Sequence, residues 1–127
     1  MILGVGIDIM HTDRMARAID RGQERLLSRL FSPHERGDAE DGPAPCERLA
    51  ARFAAKEAAM KALGTGWSGG VGWRDFEVVR EPSGRTLLRM TGRAAEIARM
   101  LGVTGCHLSL THQGGVAAAV VVLEGAG

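Results

Sequence analysis

The chain has 127 residues, 45% of them hydrophobic, and a formal net charge of +1; that suits one domain with a real core and argues against binding nucleic acid or membrane by bulk charge. Asp8 interrupts the N-terminal apolar run, no basic signal region precedes it, and no stretch reaches the roughly 20 apolar residues of a membrane span, so a soluble cytoplasmic protein is expected. Cys46 and Cys106 show no CxxC spacing, and three Phe, two Trp and no Tyr leave little for base stacking.

"ILGVGIDI" alternates as a strand does, with Leu3, Val5, Ile7 and Ile9 on one face and Gly4, Gly6 and Asp8 on the other. Glycines along one face mark close approach by a backbone or a ligand, so Asp8 projects beside a bare patch. Thr12 is better placed than Asp8 to cap the next helix, which leaves Asp8 free for function.

Thr12 to about Phe31 reads as one helix with Met15, Ile19, Leu26 and Leu30 buried. Arg14, Arg17, Arg21, Arg25 and Arg29 share an arc of it, either as a solvated face or as a docking stripe for an acidic partner. "SPHE" has the form of a capping box with Pro33 at the first helical position. "RGDAEDGPAPC" then reads as a surface loop.

A helix from about Glu47 to Leu63 carries Leu49, Phe53, Met60 and Leu63 on one apolar stripe, and Lys56 falls inside it. Either the lysine stem lies on apolar surface with its ammonium in water, or Lys56 has a task. Glu57 and Lys61 stand one turn apart on the neighbouring face. "GTGWSGGVG" is a loop, "WRDFEVVR" and "RTLLRM" form a hairpin, and Thr91 caps a helix that Gly102 stops. "CHLSLTH" and "VAAAVVVL" form a second hairpin whose last strand reads as buried on both faces. The class is α+β: one small domain over residues 1–127, an antiparallel sheet packed with helices.

No GxSxG and no Walker GxxxxGK[ST] is present. Two carboxylates from separate elements beside lysines suggest a hard cation and a phosphate, because magnesium takes one or two carboxylates and completes its shell with water and phosphate oxygens. Phosphoryl transfer asks for such a metal, cations on the phosphates and a positioned nucleophile.

"GVGIDI", "RFAAKEAAMKALGTG" and "LSLTH" resemble, in order and separation, the holo-acyl-carrier-protein synthase family of phosphopantetheinyl transferases. The resemblance implies transfer of the phosphopantetheine arm of coenzyme A to a serine of apo-acyl carrier protein, with magnesium and release of adenosine 3′,5′-bisphosphate. It implies Asp8 and Glu57 as metal ligands, and Lys61 near the pyrophosphate, neutralising charge or assisting deprotonation. It puts Arg52, Thr111 and His112 on coenzyme A, Lys56 facing the site, and Gly64, Thr65 and Gly66 along the pantetheine path. The carrier would dock on Arg14, Arg17, Arg21 and Arg25, and the chain would form a homotrimer with sites between subunits. His11 stands where family members often carry Glu, and Gln113 where some members carry an acidic residue. The competing class is a binder of coenzyme A or carrier protein without catalysis, which would have no need for both carboxylates.

Overall fold

The structure, a computed structural model, describes residues 1–126. In chain order it comprises β1 (Ile2–His11), α1 (Thr12–Asp20), α2 (Glu24–Leu30), α3 (Pro33–Glu40) and α4 (Pro45–Leu63). A 3₁₀ turn (Trp73–Asp75), β2 (Phe76–Arg80), β3 (Thr86–Met90), α5 (Gly92–Leu101), β4 (Val103–Gln113) and β5 (Val116–Gly125) follow. β1, β5 and β4 form an antiparallel sheet in that order, and β2 pairs with β3 in a separate hairpin. The α+β class is as the sequence suggests.

The packing turns on α4, which lies across the inner face of the sheet. That face presents Gly4, Gly6, Asp8 and Met10 from β1, Ala117, Ala119, Val121 and Leu123 from β5, and Cys106, Leu108, Leu110 and His112 from β4. A methyl group on Gly4 would run into the carbonyl of Ala62, and one on Gly6 into that of Ala58. The bare strip of β1 is therefore where helix backbone meets strand backbone, and that contact sets Asp8 beside α4. Leu49, Met60 and Leu63 are buried as the helical stripe predicts.

Several expectations are corrected. The long helix breaks after Asp20, because Gly22 takes a φ of +61 that no continuing helix allows. The break shifts the phase, so Leu27 is buried with Met15 and Leu30, while Ile19 and Leu26 are exposed. Thr12 is the first helical residue rather than the cap, and His11 precedes it without a side-chain bond. The capping box forms as read, with Glu35 N–H donating to Ser32 Oγ at 3.1 Å and Ser32 N–H to Glu35 Oε1 at 3.0 Å. α3 then runs on through Glu40, so only its end is loop. Trp73–Asp75 forms the 3₁₀ turn instead of the start of β2.

β5 is not buried on both faces. Its outward residues Val116, Ala118, Val120 and Val122 are half-exposed, and they align with Val5, Ile7 and Ile9 of β1, the last two 63% and 60% exposed. No element of the described residues covers this apolar face. Among those residues no helix is long and apolar enough to cross a membrane. Both cysteine thiols are free.

Candidate active site

Asp8, Glu57 and Lys61 come together where β1 crosses α4. The Lys61 ammonium donates to Asp8 Oδ1 at 2.8 Å and to the Ile7 carbonyl at 3.1 Å. Asp8 keeps only 14% of its side chain exposed. Glu57 is half-buried, and its pKa is raised, first by burial and then by the nearby Asp8 charge, against the opposing pull of Lys61 and Arg14. The pKa of Lys61 is raised too, by its bond to Asp8, which for an ammonium favours the charged form. The two carboxylates crowd each other here, with the Lys61 ammonium bonded to Asp8 and the Arg14 charge also acting on Glu57. Among the described residues no cluster of three or more His, Cys, Asp or Glu exists, so the chain supplies at most two anionic ligands here. That donor set fits magnesium, which takes one or two carboxylates and leaves positions for water and phosphate, and does not fit an all-protein cage.

Glu57 opens onto a cleft of about 630 Å³. Its floor is apolar, with Met10, Met15, Phe53, Leu30 and Trp73, and its wall carries Arg14, Arg17, Arg21 and Arg29. Arg29 lines the cleft and the exposed Arg25 does not, because the kink at Gly22 turns α2 relative to α1. Trp67, 73% exposed, stands at the cleft rim, edge-on to Trp73 at 5.6 Å.

Arg52, Thr111 and His112 do not join this group. They line a second cavity of about 280 Å³ with Arg48, Arg80, Gly84 and Thr86. This cavity lies at the β4 edge of the sheet and Asp8 at the β1 edge, with β5 between them. Arg52 is 4% exposed and donates to Asp38 Oδ2 at 2.5 Å, while its Nε is buried without a partner. Lys56 faces neither cavity. It is wholly buried, so neither snorkelling nor a site-facing role holds: its ammonium meets Glu35 Oε1 at 2.7 Å inside the core.

The family model for the 4′-phosphopantetheinyl transferase superfamily matches residues 4–121. The chain belongs to this superfamily. A holo-[acyl-carrier-protein] synthase of Koribacter versatilis is 51% identical over 124 residues, spanning 98% of this chain and 99% of its own. Among solved structures, the holo-[acyl-carrier-protein] synthase of Neisseria meningitidis superposes with a TM-score of 0.87 at 30% identity, covering 98% of this chain and 99% of that one. The Helicobacter pylori enzyme, solved in complex with coenzyme A, gives 0.82 at 28% identity over 94% of this chain and 99% of that one.

For this transferase, sequence patterns did not mark Arg48, Arg80 and Thr86, which face His112, or Trp67 and Trp73, which wall the cleft. Hairpin pairing between β2 and β3 was the available signal for Arg80 and Thr86, which are register partners. Gly64 and Gly66 adopt φ of +80 and +53 just past Lys61, and the Thr65 hydroxyl donates to the Gly66 carbonyl at 2.9 Å.

The raised proton affinity of Glu57 has a stability consequence. A carboxyl whose folded pKa exceeds its unfolded one favours the fold below the ordinary value of 4.5 and loses that contribution as pH rises through the folded value. Glu57→Gln should therefore raise the Tm of the ligand-free transferase at pH 7, and the gain over wild type should vanish below pH 4.5. Thermal melts of both proteins across pH check this.

Proposed function

We propose that this chain, working as one transferase domain in the cytoplasm, moves the phosphopantetheine arm of coenzyme A onto a serine of an apo-acyl carrier protein. The observation that carries this reading is the meeting of Asp8, Glu57 and Lys61 at the mouth of an arginine-walled cleft. In the reaction the serine hydroxyl gives up its proton to water as its oxygen bonds to the β-phosphorus, and the bond from that phosphorus to the bridging oxygen breaks with its electron pair leaving on adenosine 3′,5′-bisphosphate. Asp8 and Glu57 would hold magnesium, which supplies charge neutralisation on the pyrophosphate when bound. Lys61, kept protonated by Asp8, serves as a cation for the phosphates and not as a base. Gly64, Thr65 and Gly66 border the pantetheine path.

The second cavity, with Arg48, Arg52, Arg80 and His112, suits further phosphate groups of coenzyme A. It stands at the opposite edge of the sheet from Asp8, an arrangement that suits a site completed by a second copy of the chain. The uncovered face of Val5, Ile7 and Ile9 supports the same reading, since an exposed apolar patch of this kind marks an interface. A closed homotrimer would bury that face and bring one copy's β1 edge to another's β4 edge. His11 and Gln113, both opposite Val116 on the outer face, would then lie near that interface.

The test is mass spectrometry of apo-carrier proteins incubated with the chain, coenzyme A and magnesium. A phosphopantetheine mass gain on the carrier serine supports the reading, and unmodified carriers across several sources would favour a coenzyme A or carrier binder without catalysis.

Docking on the arginine wall gives a further expectation. Exposed pairs contribute about 0–1 kcal/mol each, so no single arginine should decide recognition. Arg14→Glu with Arg21→Glu should raise KM for the acidic carrier about tenfold at low salt, leaving KM for coenzyme A unchanged. Steady-state kinetics varying each substrate in turn reads the split.

A further inference from the structure

Lys56 and Glu35 form an ion pair in which both side chains are 0% exposed. The ammonium spends all three protons inside the protein: on Glu35 Oε1 at 2.7 Å, on the Phe76 carbonyl at 2.7 Å and on the Trp73 carbonyl at 3.3 Å. It also lies 5.4 Å from the centre of the Phe31 ring. Glu35 accepts from Ser32 N–H at 3.0 Å and, through Oε2, from Val78 N–H at 2.9 Å. One pair thus ties the start of α3, the middle of α4, the 3₁₀ turn and β2 to a single point.

Stability alone does not account for it. Two charges taken out of water lose most of what they gain from each other, and apolar side chains of similar volume often serve as well or better. What apolar packing lacks is direction, and here direction has a target. The Trp73 carbonyl belongs to the residue whose ring stacks on Phe53 at 5.0 Å and meets the edge of Trp67. Phe53, Trp67 and Trp73 all line the cleft onto which Glu57 opens. The chain leading from α4 to Trp73 passes through Gly64, Gly66, Gly69 and Gly70, all at positive φ, and so turns repeatedly before it reaches that wall. Asp75 ties the far side of the turn to α5 through Ala94 N–H at 3.3 Å, and toward α4 the Lys56 ammonium holds the Trp73 carbonyl while Phe53 stacks on its ring. Lys56 also directly precedes Glu57, so seating its ammonium inward turns the next side chain about 100° away, toward the cleft.

We infer that Lys56 and Glu35 are positioning residues, which hold the aromatic wall of the cleft in register with the helix that carries Glu57. The inference rests on the transferase reading for its kinetic arm only. The double variant Lys56→Met with Glu35→Gln removes both charges together, so neither is stranded. Far-UV circular dichroism should match wild type. The near-UV signal, dominated by the Phe53–Trp73–Trp67 stack in a chain with no Tyr, should fall by half or more. KM for the carrier should rise about tenfold and kcat should drop, with KM for coenzyme A within about twofold. A wild-type near-UV spectrum, or unchanged kcat and carrier KM, would overturn the inference. If the double variant does not fold, Phe53→Leu decides: it unstacks Trp73 while leaving the ion pair, and should show the same kinetic split. Wild-type kinetics there would overturn it equally. Failure of the wild-type chain to modify any carrier would sink the transferase reading, while the near-UV comparison would still test the wall.

Discussion

Glu57→Gln should lower the rate of phosphopantetheine transfer by at least about a hundredfold, the scale expected when one group that stabilises transition-state charge is removed. Glutamine keeps the shape of the side chain but surrenders half of the two-carboxylate set that faces Lys61. The same substitution is expected to stabilise the ligand-free fold, so the loss cannot be put down to unfolding. Stability given up at a site of this kind is a common mark of function. Lys61→Ala should depress kcat by a similar factor with little change in coenzyme A binding, because its ammonium is half-exposed and already satisfied by Asp8 and the Ile7 carbonyl before any phosphate arrives. Single-turnover transfer, measured with and without excess chelator, reads both variants. Full activity of Glu57→Gln in chelator would end the two-carboxylate account, and a Lys61→Ala defect confined to coenzyme A affinity would make Lys61 a ground-state contact.

What could be read from the sequence was whatever is local or periodic. The glycine face of β1 was legible because close backbone approach leaves a period-two trace in one short segment. The stripe on α4 and the Ser32–Glu35 box were legible for the same reason. Periodicity also put Lys56 correctly among buried residues. It could not supply the partner: Glu35 lies 21 residues away, on a segment whose own pattern announces only a cap. The family resemblance pointed Lys56 at the site, and burial overruled it. A second limit concerns faces. Alternation groups Val5, Ile7 and Ile9 without telling which side meets the core, and here the glycine side does. The third is spatial: motif order says nothing of sheet order, so Asp8 and His112 look like one site in sequence and stand at opposite edges in the fold.

That separation makes a sharp prediction about mixed assemblies. Asp8→Asn removes a carboxylate from the β1 edge, and His112→Glu puts a repelling charge in the cationic cavity at the β4 edge. Each variant alone should be close to inactive. If each active site takes its β1 edge from one subunit and its β4 edge from the next, subunits exchanged at equal ratio should restore activity. A site then works when an intact Asp8 meets an intact His112 from its neighbour, which random assembly gives in about a quarter of sites. If both edges served a site within one chain, every site would keep one defect and the mixture would stay inactive. Mixing Asp8→Asn with Glu57→Gln supplies the control, since both lesions lie on the same side and no arrangement repairs them. Ile7→Glu, placed on the uncovered apolar face, should break the assembly and abolish the restored activity together. Light scattering should report a particle three times the 13.5 kDa chain before that change and the single chain after it. A restored rate near a quarter of wild type, lost with the trimer, is the outcome that the shared site requires.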